Sequence, residues 1–431
     1  MDPIAFFLDN AALKDVDFQE PLLGNPGAGA TEYMTILVAN ELSKRGVSVE
    51  LLSTSPGKFP TNIRSRQLKD IEEAIEYCAN EKIILTIRAY IADFEHLLSK
   101  IASHQDLKVV VWAHLTPSQK SLKIIAKTNQ VKAIVCLENN QRVRMGDSLA
   151  ASKLLTIPYG ITGNTNSVSV AAQENNIAYI GALVPQKGFH FLADAWPIVV
   201  KQIPNAKLFV FGSGSLYNSR VALGSNGIAT EQYEDRIFQK LERDDESVKF
   251  LGNTDSILRN QILDKCKLGI VNPSAQTETF CLSAVEFEQR GIPVIGGRKY
   301  GLLDTVSHKK SGILILNQKN LAKVIVKVLT NETLLNKLSK GAKNHVFGKY
   351  KLENVIDRWG NLFDVLSEDP TEKINPETSR MKVRSLQALF TMTNRNIVFI
   401  TLGKWPTGVE IWNATKSFRR NKLNHFRWLF K

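Results

Sequence analysis

The stretch "LGIVNPSAQTETFCLSAVEFEQRGIPVIGG", residues 268–297, reads as one strand–turn–helix–strand unit. "LGIVNP" is a short apolar run of the kind that forms a strand buried on both faces. "SAQTET" is a polar turn after it. The spacing then predicts a helix from near Phe280 to Arg290, with Gly291 as its C′ residue and Pro293 preventing continuation into "IPVIGG". Two glutamates mark this unit: Glu278 just outside the expected helix N-terminus, and Glu286 nearly two turns inside. Eight positions on an ideal helix is an offset of roughly 80°, so the pair does not make one carboxylate face. Taken alone they have ordinary uses. Glu286 could pair with Arg290 at i, i+4, and Glu278 could complement the helix dipole.

The same alternation of β-branched runs and helical stretches fills the chain. In the first half the runs lie at 4–9, 47–54, 82–89, 108–115, 133–138 and 154–160; in the second at 177–183, 207–213, 248–252, 268–273, 292–297 and 312–316. Continuous apolar strands separated by amphipathic helices predict an α/β protein with parallel sheets covered on both faces. Twelve strands are too many for one ordinary doubly wound domain, so two are expected, 1–160 and 177–350. The polar stretch "ITGNTNSVSVAAQENN" (161–176) is the expected linker. A helix at 351–367 is expected to return to the first domain, and a basic, aromatic tail occupies 368–431. Ligands of such folds bind beyond the carboxyl ends of the strands, so two facing domains should enclose a cleft there.

Composition narrows the classes. The 431 residues are 43% hydrophobic and 23% charged, an ordinary globular balance. Cys78, Cys136, Cys266 and Cys281 show neither disulfide nor metal-ligand spacing, which suits free thiols in a reducing cytosol. "MDPIAFFLDN" has no basic leader and reads as a first strand, and no run reaches the length of a membrane span. A cytoplasmic location follows as an expectation. From Thr371 onward twelve Lys/Arg face three acids, so most of the net charge of +13 belongs to the tail.

Several motifs occur in order around the opening unit. "GNPGAGATEYMTILVANELSKRG" (24–46) is a Gly-rich loop leading into a helix, and Gly27 and Gly29 would let the backbone approach a ligand closely. It reads G-x-G-x-x-E, and some fifteen residues separate it from the nearest strand, which weakens a dinucleotide-fold reading. "IAYIGALVPQKGFHFLADAWPIVVKQIPNAKLFVFGSGS" (177–215) contains Lys187 and, after a strand, Gly212. "VKFLGNTD" (248–255) and the segment from Cys266 to Ile315 follow. Together these resemble the E-x7-E family, the family-4 retaining glycosyltransferases, over roughly residues 1–367.

The resemblance implies a GT-B fold: two facing Rossmann-like domains, the second holding a nucleoside diphosphate-sugar, UDP or GDP, as donor substrate. No cofactor and no metal are implied. Glu286 would accept hydrogen bonds from the nucleotide ribose, a bidentate acceptor facing a vicinal diol. Glu278 would orient the donor sugar. The backbone N–H groups of Thr279, Phe280, Cys281 and Leu282 would meet sugar hydroxyls and phosphate at a helix N-terminus. Lys187 would neutralise the departing diphosphate, and His114 would lie near the anomeric carbon. The family usually carries an Arg five positions before that Lys, and this chain has Ala182. Either another cation, from a loop of the first domain, covers the second phosphate, or catalysis is slower than in relatives. The triplet Asp15-Val16-Asp17 is read as solvated surface.

The implied activity is transfer of a sugar to a hydroxyl of a surface glycan, lipid-linked, of the lipopolysaccharide or capsule type. A catalytically inactive paralogue serving as an assembly subunit is the alternative, and a sugar-nucleotide epimerase is another. In "ATKSFRRNKLNHFRWLFK" (414–431), Lys416, Arg420, Arg427 and Lys431 would form one helical stripe with aromatics beside it. That combination suits an anionic membrane surface, at the inner face of the membrane, through 412–431. A packing helix with a solvated basic edge is the competing reading. No nucleic-acid fold is recognisable.

Overall fold

The computed structural model describes residues 1–368 except 12, 14–15, 90–92, 163–173, 216–220, 244, 255 and 277, and residues 394, 395, 398, 401, 407, 408, 410 and 411 of the C-terminal stretch. Most of the linker expected at 161–176 and the basic stripe at 412–431 lie outside the described residues, as does Asp15.

Two sheets carry the fold, and every strand pair in them is parallel. The first holds β1 (Ile4–Leu8), β2 (Val49–Ser53), β3 (Arg64–Gln67), β4 (Ile84–Arg88), β5 (Val109–Ala113), β6 (Val131–Cys136) and β7 (Leu154–Thr156), in the order β3-β2-β1-β4-β5-β6-β7. The second holds β8 (Asn176–Ile180), β9 (Lys207–Phe211), β10 (Val248–Gly252), β11 (Leu268–Val271), β12 (Val294–Gly297) and β13 (Gly312–Ile315), in the order β10-β9-β8-β11-β12-β13. In each sheet the strand order reverses beside the first strand, β1 or β8, which is where doubly wound sheets open a crevice. The strands β1, β2, β5, β11 and β12 are buried end to end because helices cover both faces.

β3 departs from the expected set. All four of its side chains are exposed, so "RSRQ" carries no apolar signal. It forms as an edge strand because β2 offers it a free ladder, Glu50 to Ser53 against Arg64 to Gln67.

The helix Leu352–Glu368 lies on the first sheet although it follows the second in sequence. Trp359 sits 4.7 Å from Trp112 and 5.9 Å from Phe6, ring centre to ring centre, and Phe363 is 6.1 Å from Phe6. The core of the first lobe is thereby completed by a helix entering from the second. The middle of the C-terminal stretch also packs on the first lobe. The buried Asp147 carboxylate accepts the Gly408 N–H and, at 3.3 Å, the Asn394 amide, and Val398 is buried.

Candidate active site

A cleft of about 910 Å³ separates the carboxyl ends of the two sheets and takes its walls from both lobes. From the first come Asn25, residues 27–32, His114, Arg144 and Tyr159; from the second come Ala182, Lys187, Gly212, Arg259 and residues 278–283, with Glu286 and Tyr300.

On the first lobe the Gly-rich loop is held by Asn25, whose side-chain oxygen accepts the N–H groups of Gly27 and Ala28 while its amide donates to the Ala28 carbonyl. Gly27 lies at φ +97°, a backbone state that side chains rarely adopt. The helix Ala30–Lys44 starts immediately after Gly29, so its N-terminus opens on the cleft. Asn25 was not expected, although an Asn two residues before a Gly is a recognisable turn signal.

His114 follows β5 and is buried, with its Nδ1 2.6 Å from the Tyr159 hydroxyl and its ring 4.5 Å from Trp112. Burial, with a smaller contribution from Arg88, lowers its pKa to about 3, so the ring is neutral at ordinary pH. Behind it, Arg88 donates to Asp9 at 3.4 Å and to Glu32 at 3.3 Å.

On the second lobe two turns meet. Gly188, at φ +74°, brings the 185–187 turn against Ser274, where a Cβ would overlap the Ser274 backbone nitrogen. The Ser274 hydroxyl then donates to the Gln186 carbonyl. This contact sets Lys187 Nζ 2.8 Å from Glu278 Oε2, with both side chains largely buried. The same oxygen accepts the Asn272 amide at 2.7 Å, from the end of β11. The structure therefore brings Lys187 and Glu278 together, and adds Asn272, which sequence reading passed over.

The helix after Glu278 spans Leu282–Gln289, two residues later than expected at its start, with Cys281 at the N-cap. Thr279 and Phe280 precede the helix and line the cleft. The Phe280 ring is wedged between Tyr159 at 4.9 Å and Tyr350 at 5.4 Å, joining the two lobes. Cys281 is buried and its thiol pKa is pushed up to about 12, so it is unreactive and only its backbone is suited to a ligand. Glu286 lies about one turn into this helix and lines the cleft. Its partner is not Arg290. Arg259, from the helix Ser256–Leu263, donates to it at 3.4 Å, while Arg290 donates to the Glu286 backbone carbonyl and pairs with Asp264 at 3.5 Å. Nothing in "SILRNQIL" distinguishes Arg259 beforehand.

Gly212, after β9, lies at φ +122°, and any Cβ there would overlap the Gly181 carbonyl. Ala182 is fully buried beside it and lines the cleft. Asp17, the second acid of the Asp-x-Asp triplet, is half exposed and 3.8 Å from Lys58.

Two parallel-sheet domains facing each other across a cleft define a GT-B fold. Residues 164–345 match the family model for glycosyl transferases group 1. The chain is 25% identical over 244 residues to the poly(ribitol-phosphate) alpha-N-acetylglucosaminyltransferase of Staphylococcus aureus (strain COL), over 56% of this chain and 45% of that protein. It thus spans about half the length of that relative. An uncharacterized glycosyltransferase of Haemophilus influenzae is 21% identical over 78% of this chain and 96% of its own. In fold, HepE from Anabaena, solved in complex with UDP and glucose, superposes with a TM-score of 0.63 at 15% identity, over 85% of this chain and all of that one.

Proposed function

We propose that this protein is a retaining, metal-independent glycosyltransferase of family-4 type. It transfers a hexosyl unit from a UDP- or GDP-sugar to a hydroxyl of a lipid-linked surface glycan. The observation that carries the reading is the Lys187–Glu278 pair, 2.8 Å apart on the second lobe, in one cleft with Glu286 and the glycine loop of the first. Glu286 takes the ribose hydroxyls and Glu278 the donor sugar. Lys187 faces the diphosphate, whose charge grows as it leaves, so a preorganised cation favours the transition state over the ground state. The C1–O bond to the β-phosphate breaks, and a new C1–O bond forms to the acceptor oxygen on the same face. The hydroxyl proton passes to the departing phosphate oxygen, so no protein nucleophile is required. The name of the S. aureus relative describes glycosylation of a cell-wall polymer, which supports a surface glycan as acceptor.

The test is a panel of labelled UDP-, GDP- and ADP-sugars with and without EDTA, the product anomer being read by NMR. Transfer or slow hydrolysis with retained configuration supports the reading. An inverted product, a requirement for metal, or an epimerised donor overturns it, and inertness towards every donor favours an assembly subunit. The location proposed is the inner membrane face, through the basic stripe at 412–431. Among the described residues no helix is long and apolar enough to cross a membrane. Full-length protein should bind anionic vesicles and a chain ending at Ser367 should not; equal binding rejects the membrane role.

A further inference from the structure

Arg144 ends the short helix Asn139–Arg144 of the first lobe and lines the cleft. Its guanidinium stands 4.8 Å from the centre of the Tyr300 ring, which belongs to the second lobe. The other two cations of the cleft wall each have a carboxylate: Lys187 has Glu278, and Arg259 has Glu286. Among the described residues Arg144 has none, and its Nε is buried without a hydrogen-bond acceptor. A tyrosine ring can hold one face of a guanidinium, but it cannot accept the in-plane N–H donors.

Both ends of this contact are deliberately held. The Asn140 N–H, at the start of the helix, donates to the Asp304 carboxylate of the second lobe at 2.8 Å. Tyr300 sits at φ +50°, a left-handed backbone state that a bulky residue adopts only at a cost. The next residue, Gly301, donates its N–H to the Glu278 carbonyl at 3.0 Å. Arg144 and Lys187 therefore flank the turn that carries Glu278, one cation from each lobe. Ala182, also on the cleft wall, contributes no charge.

We propose that Arg144 is an anion receptor supplied by the first lobe, binding phosphate or carboxylate oxygens at the Glu278 end of the cleft. This rests on the nucleotide-sugar reading of the site. Two sources share that chemistry: the diphosphate of the donor, and an acid group on the sugar being transferred. Arg144 would make binding of the anion depend on both lobes, since Tyr300 holds its guanidinium across the gap.

The test uses the full chain and the variants Arg144→Gln, Arg144→Lys and Tyr300→Leu, with thermal melting to confirm folding. Calorimetry measures UDP, GDP, uridine and pyrophosphate, and turnover is compared for UDP-glucose and UDP-glucuronate. If the diphosphate is the anion, Arg144→Gln weakens UDP or GDP tenfold or more and leaves uridine unchanged, while Arg144→Lys recovers part of the loss. If the sugar carries the anion, nucleotide affinity stays and kcat/KM falls tenfold or more for UDP-glucuronate only. Tyr300→Leu, which removes the ring that holds the guanidinium, should lose part of the same affinity or turnover as Arg144→Gln. Equal behaviour of wild type and Arg144→Gln with every probe overturns the proposal, as does an equal loss of uridine and UDP. Pyrophosphate bound through Arg144 without any nucleotide binding would leave this proposal standing and sink the donor reading; no binding of any probe by the wild type would sink both.

Discussion

Replacing Lys187 by Met removes the charge while keeping most of the side-chain volume, and the geometry sets how much that should cost. The ammonium lies 2.8 Å from Glu278 Oε2 with only 15% and 8% of the two side chains exposed, so the group is already positioned before any ligand arrives. A unit charge acting on a second one about 4 Å away at an effective dielectric of about 20 contributes about 4 kcal/mol. Glu278 cancels part of that in the ground state. The part that matters is the extra negative charge that develops as the diphosphate leaves, and removing a single preorganised donor to such charge costs about 2.7–4 kcal/mol, or 10²–10³ in kcat.

The substitution also strands the Glu278 carboxylate, which among the described residues keeps the Asn272 amide alone. Loss of stability should accompany loss of turnover, and the two must be separated. Lys187→Met combined with Glu278→Gln removes both charges and should recover most of the stability without recovering turnover. Single-turnover transfer or donor hydrolysis, together with urea unfolding of each variant, measures both quantities. A Lys187→Met enzyme that unfolds like the wild type and loses less than threefold in kcat would refute the electrostatic role. So would a double variant that regains activity together with stability.

Three other perturbations follow from individual contacts. His114 is neutral in the fold with its pKa near 3, whereas in the unfolded chain it takes up a proton below about 6.5. Its contribution is therefore complete above that pH and is lost on acidification towards 3, by up to about 1.4 kcal/mol per pH unit; His114→Gln should flatten the acid limb of stability against pH, and an unchanged slope rejects the assignment. Gly212→Ala forces a Cβ onto the Gly181 carbonyl at a positive φ and should destabilise the second lobe by about 2 kcal/mol or more, measurable as a drop in the urea midpoint. Asp147→Ala removes the carboxylate that accepts the Gly408 N–H and the Asn394 amide. It should cost about 1–3 kcal/mol and speed proteolytic removal of the C-terminal stretch, whereas unchanged proteolysis would show that this contact does not hold the stretch.

The parts of this molecule that sequence could disclose are those written locally. Apolar runs marked twelve strands, and the Gly and Pro positions around the opening unit marked where its helix must stop. β3 was invisible because an exposed edge strand needs no apolar residues. The helix at Leu282 begins late because Phe280 is drawn into a three-ring contact between lobes, which no local pattern encodes. Glu286 has an arginine at i+4, yet its partner is Arg259, 27 positions upstream, since Arg290 is taken by Asp264. Arg144 sits in "NNQRVR", a short polar run with no motif, and acquires meaning only from Tyr300 on the other lobe. The charge of the tail was legible, but the docking of its middle part on Asp147 was not.

The relative setting of the lobes rests on a buried polar cluster next to the same short helix. Glu138, fully buried just before it, accepts Lys349 Nζ at 2.8 Å and the Tyr350 hydroxyl. Both of those donors also reach the Asp304 carbonyl, at 3.0 and 2.9 Å, and the Asp304 carboxylate holds the Asn140 N–H. Burial raises the pKa of Glu138, and Lys349 opposes that shift. Opening the lobes at this point would separate a buried carboxylate from its partners, a change that costs about 3–5 kcal/mol when one partner is removed outright. The helix Asn139–Arg144 is thus pinned to the second lobe at its first turn and delivers Arg144 to Tyr300 at its last. The contacts that fix the width of the cleft are therefore continuous with those that set its charge. Loosening Glu138 should disturb anion binding even though Glu138 does not line the cleft.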